Sequence, residues 1–366
     1  MTFLQRPEIA AQTARLSLGD DMGAAPHSHY AARGEVLPFA PHDTHCHNGL
    51  KQLESVARDL AHLGPPVIVF NASHSGSRLL ATMLERLGVY MGANLNESED
   101  SLDLFELVRY LVRAHAPDYS RLFTTGDPSL RDRVSRAIES HLDGWRPGQP
   151  WGWKLPETGH VLPVISRLFP EARCIHLVRD GRDVAFSPFL APKDPFWRKV
   201  YFNAEQIESW RGMGMTQRAY RAHGHLFNAM RWVNSVTLGR AHGVMLGGRY
   251  LELRYEQVVA DPAGELQRLA TFLDLPQRPD MLDSLEVRCA SVGKWRRHSA
   301  RELAEVRGVL EPALASFGYE WETPPPWHAP ARSAARLGEA VRGWLSAGQD
   351  AEPRGLGGLF RIQARR

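Results

Sequence analysis

The stretch VIVFNASHSGSRLLATMLERLG, residues 67–88, constrains this chain more than any other. A short apolar run stops at a small polar loop, and then Leu79, Leu80, Met83, Leu84 and Leu87 recur at helical spacing until Gly88 supplies a stop. Strand, loop and helix in that order aim several backbone N–H groups and the positive end of a helix at one spot, which stabilises an anion. Gly76 lets the backbone come close, and Ser75, Ser77 and Arg78 add side-chain donors. An ordinary βα turn of small residues has the same look, so the loop alone does not decide between them. A nucleoside triphosphatase cradle is a poorer match: G-x-x-x-x-G-K-[ST] needs a lysine after its last glycine, and here Ser77 and Arg78 follow Gly76.

From Pro65 onward the same alternation continues. VIVF, CIHLV and YLELRY are short apolar or β-branched runs separated by long helical stretches, which predicts a parallel sheet covered on both faces. Residues 1–64 read as an N-terminal extension closed by the helical piece GLKQLESVARDLAHLG, 65–323 as the main domain, and 324–366 as a Pro-, Gly- and Arg-rich tail. No repeat at a solenoid period is present.

A second motif, CIHLVRDGRDVAFSPF, sets a buried strand against Arg179, Asp180, Gly181, Arg182 and Asp183, with Ser187 eight residues after Arg179. Guanidinium forks match phosphate oxygens bidentately, and a serine on the next helical turn can add a hydroxyl. Taken alone, an Arg/Asp surface pair at a strand end explains the motif as well. The two motifs are stronger together, because both fall at carboxyl ends of expected parallel strands, where open sheets bind ligands. The ligand then has two separated anionic groups.

The pair NASHSGSRLL and IHLVRDGRDVAFS resembles the two cofactor signatures of sulfotransferases that use 3′-phosphoadenosine-5′-phosphosulfate (PAPS). WGWKLPET, YLELRYEQVVADPAGELQRLATFLDLP and SVGKWRRH extend the resemblance over about residues 65 to 320. It implies a three-layer αβα fold with a central parallel sheet, related to P-loop nucleotide-binding folds. It also implies metal-free sulfuryl transfer to a hydroxyl or amine of a small-molecule or carbohydrate acceptor. By the same resemblance, Ser75, Gly76, Ser77, Arg78 and Leu79 would hold the 5′-phosphosulfate, and Arg179 and Ser187 the 3′-phosphate, helped by Tyr255. Lys294 and Trp295 would close over the nucleotide. Lys154 would offset charge on the bridging oxygen, its alternative being a strand-end lysine in solvent.

Three positions depart from the family pattern or leave it open. His74 stands where the family carries Lys or Arg, and it would help the sulfonate only when protonated or in a suitable tautomer. Pro188 directly follows Ser187, which predicts a kink in that helix or a different start to it. For the base, GANLNESEDSLDLFEL offers Glu99 first and Glu97 second, with Asp100 beside them and Glu157 and His160 in reserve. The same acids also read as N-terminal charge for the helix that follows.

Other classes are disfavoured. The net charge of +3 on 366 residues is mild and the basic residues are scattered, so no nucleic-acid surface is indicated, Arg296, Arg297 and His298 included. Cys46, Cys174 and Cys289 are too few and too far apart for a disulfide framework. Without a signal peptide or a membrane-spanning run the expected location is cytoplasmic. His42, His45, Cys46 and His47 crowd together, but no second half follows at metal-site spacing. The aromatic segment from Phe189 to about His225, with Phe196, Trp197, Tyr201, Phe202 and Trp210, is the candidate acceptor-side lid. An ATP-dependent kinase and a catalytically silent nucleotide-binding protein are the rival readings.

Overall fold

In this computed structural model the described residues are 48–115, 119–188, 224–276, 281, 285, 287 and 289–321. The histidine-rich segment 42–47, residues 189–223 of the expected lid and the tail from 324 lie outside them. The order of elements is α1 (Asn48–Leu60), β1 (Val67–Asn71), α2 (Ser77–Arg86), α3 (Leu102–His115), α4 (Ser120–Thr125) and α5 (Leu130–His141). Then follow β2 (Gly152–Lys154), α6 (Thr158–Leu168), β3 (Arg173–Val178), α7 (Gly181–Ala185), α8 (Gly224–Val244), β4 (Tyr250–Arg254), α9 (Tyr255–Ala260), α10 (Pro262–Leu273) and α11 (Ala300–Ser316).

The sheet among the described residues runs β2-β1-β3-β4. Every pairing is parallel, with Val69 opposite Lys154, Asn71 opposite Leu177, and Val178 opposite Arg254. Side chains alternate between the two faces, as a strand's period of two requires. Ile68, Phe70, Trp153 and Cys174 join one core with α1, α3, α5 and α6, while Val67, Val69, Ile175, Leu177 and Leu253 join another with α2 and α10. The fold is therefore three-layered, helices on both faces of a parallel sheet, as the alternation of runs predicts. Leu53, Val56 and Leu60 place α1 in the first of these cores.

Topology decides where a ligand fits. The chain leaves β1 for β2 on one side and returns to β3 on the other, so the strand order reverses between β1 and β3. A crevice opens at the carboxyl ends of strands around such a reversal. Both sequence motifs lead into it.

Candidate active site at the tips of β1 and β3

The first loop is shaped by its own backbone. Ser75 is fully buried, and both its N–H (3.2 Å) and its hydroxyl (2.6 Å) donate to the Ala72 carbonyl. Gly76 caps α2 with φ at 82°, and a Cβ there would meet the Tyr255 ring at 2.3 Å. Only glycine satisfies both the left-handed backbone and the close approach of that ring. Ser77 opens α2 from a buried position, and the exposed Arg78 donates to the Glu97 carbonyl. Leu79, half-buried, packs on the core beneath.

The second loop is shaped by charge. Arg179 is buried; its guanidinium donates to the His74 carbonyl (3.1 Å), to Asp183 Oδ2 (3.2 Å) and to the Ser291 carbonyl, and it lies 4.9 Å from the Tyr255 ring centre. Asp183 also accepts from Gly293 N–H and Trp295 N–H, both at 2.9 Å, and Tyr255 Oη meets Ser291 Oγ at 2.7 Å. Residues 291–295 are thus buckled onto the tip of β3. Arg182 faces elsewhere: it forks onto Asp180 at 3.0 and 2.8 Å and lies 3.9 Å over the Trp295 ring. Of the two arginines read as a phosphate site, Arg179 faces the first loop and Arg182 supports the wall. The Asp180 side chain also accepts from Arg182 N–H and starts α7. That short helix stops at Ala185 with Phe186 as its cap, rather than kinking at Pro188, and Ser187 beyond it donates its hydroxyl to the Asp183 carbonyl at 2.9 Å.

A third part comes from between the strands. Lys154, at the end of β2, is only 1% exposed, so it is not a lysine in solvent. Its ammonium donates to Asp100 Oδ1 at 2.6 Å and to the Ser98 carbonyl, and stands 3.5 Å from Ser77 Oγ. The acidic segment is a turn tied by Asn96, whose Oδ1 accepts from Ser98 and Asp100 N–H, while Glu99 holds a left-handed φ of 67°. Asp100 is thereby paired, Glu97 lends its carbonyl to Arg78, and half-buried Glu99 sits between the two residues that hold Lys154. Glu157 is buried at the start of α6. His160 lies on α6, its pKa pushed down to about 3 by burial and then by His242.

Residues 65–280 match the model of the sulfotransferase family, which is more than half of the chain. The chain belongs to that family. Among curated relatives, this chain is 25% identical over 195 residues to the omega-hydroxy-beta-dihydromenaquinone-9 sulfotransferase Stf3 of Mycobacterium tuberculosis, covering 52% of this chain and 44% of the relative. It is 27% identical over 129 residues to a putative protein-tyrosine sulfotransferase of Caenorhabditis elegans, covering 35% of this chain and 41% of the relative. The match therefore spans less than half the length of either curated relative. Among solved structures, the sulfotransferase domain of the Synechococcus PCC 7002 olefin synthase aligns with a TM-score of 0.42 at 18% identity, over 72% of this chain and 98% of that one.

The candidate site brings His74, Gly76, Arg179 and Tyr255 into one contact network and Ser77 with Lys154 into a second beside it. Lys294 is exposed, and Trp295 is buried between Arg182 and Arg296 rather than open to the crevice. His74 takes φ 70°. Its ring keeps an exposed edge, yet desolvation, followed by the Arg231 and Arg179 guanidiniums, pushes its pKa down to about 4. The imidazole is therefore neutral near pH 7. The roles of Asp183 and Ser291, both inside quoted motifs, escape a reading of sequence alone. Asp183 was in plain view inside RDGRD, but its partners lie about a hundred residues further along. No helix among the described residues is long and apolar enough to cross a membrane.

Proposed function

We propose that this sulfotransferase moves a sulfuryl group from PAPS to the hydroxyl of a small-molecule or carbohydrate acceptor, by in-line transfer without a metal and in the cytoplasm. The observation that supports it most is the bond from Arg179 to the His74 carbonyl, which makes the two anion-holding loops one crevice. The residues fit a nucleotide charged at both ends. Arg179 Nε is buried without a partner, a donor that a phosphate oxygen would satisfy. Bound there, PAPS supplies the sulfuryl group, its bond to the 5′-phosphate breaking as the acceptor oxygen bonds to sulfur.

This chain's residues divide the remaining work. The N–H groups at the start of α2, with Ser77 and Arg78, would hold the phosphosulfate end; Arg179 and Tyr255 would hold the 3′-phosphate end, joined by Ser187 once its hydroxyl rotates from the Asp183 carbonyl. Lys154, held in place by Asp100, lies beside Ser77 where negative charge would grow on the departing oxygen. Glu99 is the proposed base, taking the acceptor proton, with Glu97 second. The relatives' names specify a hydroxylated menaquinone and a protein tyrosine, which supports a hydroxyl as the acceptor group.

The test is thermal stabilisation by adenosine 3′,5′-bisphosphate without metal against ATP with magnesium. At a hundredfold excess over Kd the bisphosphate is expected to add about 2.7 kcal/mol of stability, and ATP much less. Equal or reversed shifts would sink the assignment and favour the kinase reading. A bisphosphate shift with no transfer to any acceptor would favour a silent binding protein.

A further inference from the structure

We infer that Asn228, on α8, is a positioning residue that sets Ser187 for the 3′-phosphate and so makes the site selective for a 3′-phosphorylated donor. The inference rests on the donor reading above and names a residue that lies outside every motif quoted for it.

Arg179, Asp183 and Ser187 recur at intervals of four, the spacing that puts side chains on one face of a helix. That face can serve one phosphate only if the chain stays wound from 179 to 187. By itself it has little to hold it so. α7 is a five-residue helix that ends at Ala185, and Pro188 brings no N–H with which to extend it.

α8 supplies the support from outside. Asn228 is 1% exposed, and its Nδ2 donates to the carbonyls of Ala185 and Ser187 at 3.2 and 3.1 Å. Two carbonyls fix which end of the amide faces them. One turn further along α8, buried Trp232 donates Nε1–H to the Arg179 carbonyl at 2.9 Å, so an i, i+4 pair grips both ends of the segment 179–187. Gly181 permits this approach, since a Cβ there would meet the Trp232 ring at 2.7 Å. Ser187 is thereby held with its hydroxyl 2.9 Å from the Asp183 carbonyl, one turn from the carboxylate that binds Arg179. Asn228 Oδ1, by contrast, is buried without a donor among the described residues. An unpaired carbonyl in the core costs stability that an apolar side chain of similar size would not, so packing alone does not account for an asparagine here. The two carbonyls that it holds do.

The test measures affinity for adenosine 3′,5′-bisphosphate and for adenosine 5′-monophosphate, which lacks the 3′ group, in wild type, N228A, S187A and N228A/S187A. Wild type is expected to prefer the bisphosphate. N228A is expected to weaken bisphosphate binding about tenfold and to leave the monophosphate unchanged, the worth of one hydrogen bond to a charged group. The double variant is expected to bind no more weakly than S187A, since a residue that acts through Ser187 has nothing left to act on. The inference fails if N228A keeps the wild-type preference, if it weakens both probes equally, as a purely structural amide would require, or if the two losses add. Thermal melting of each variant without ligand separates misfolding from lost binding. Should N228A not fold, the side-chain amide resonance of Asn228 in the wild-type protein decides: it is expected to move on titration with the bisphosphate and not with the monophosphate. A resonance unmoved by either probe, or moved alike by both, overturns the inference. Wild type that binds neither probe, or binds both alike, would overturn the donor reading itself and this inference with it.

Discussion

Between Asn71 and Ser77 the chain turns on backbone bonds and one glycine, whereas between Val178 and Ser187 it turns on four buried charges, Arg179, Asp180, Arg182 and Asp183. The first loop keeps its N–H groups at a helix start and directs the Ser75 hydroxyl back onto itself. The second pairs every charge before any ligand arrives, Arg179 with Asp183 and Arg182 with Asp180. A loop built on backbone can be broken only by changing its shape. A loop built on buried ions is broken by removing one partner, because the other is left uncompensated in a poorly solvated place.

The largest effect is therefore expected in the second loop. Asp183→Ala leaves Arg179 unpaired and releases Gly293 and Trp295, and its cost is expected at about 3–5 kcal/mol in chemical denaturation, with bisphosphate binding lost as well. A cost below about 1 kcal/mol would show that the carboxylate is not the buckle and would erase the contrast.

Next comes the first loop. Gly76→Ala places a Cβ at 2.3 Å from the Tyr255 ring on a backbone with φ 82°, which is expected to cost about 1–3 kcal/mol. Because Tyr255 also meets Ser291, that substitution is expected to shift the signals of residues 291–295 in a heteronuclear spectrum. Spectra unchanged beyond the first loop would mean that the two loops are independent.

The smallest effect concerns pH. The His74 pKa lies at about 4 in the folded protein, below its ordinary 6.5, so the ring gains no proton between pH 8 and 5.5. The ligand's own phosphates titrate in that window. The ratio of wild-type to His74→Gln affinity for the bisphosphate is accordingly expected to stay flat across it. A ratio that rises as pH falls through 6.5 would show a protonated His74 supplying charge to the bound bisphosphate.

Much of this architecture was legible in local patterns. β1 and β3 announce themselves because strands buried on both faces are largely apolar, β4 because Leu251 and Leu253 alternate with polar residues, and the two loops because glycine, serine and arginine cluster at strand ends. β2 was harder to see, since three residues establish no period, and the burial of Lys154 depends on Asp100 and Ser98, brought to it by a turn some fifty residues earlier. Arg182 misleads for the same reason. Beside Arg179 in sequence it looks like a second phosphate ligand, and only the packing of Trp295 shows that it belongs to the wall.

The chain's own order of residues settled the alternation of strands and helices and the glycine of the first loop, because each depends on backbone geometry within a few residues. Tertiary structure decided which charges face the crevice. An ionised side chain takes its role from the partners and the solvent around it, and here those partners, Asp183 with 293 and 295, Arg179 with 74 and 291, and α8 with both loop stems, meet only after the sheet has formed.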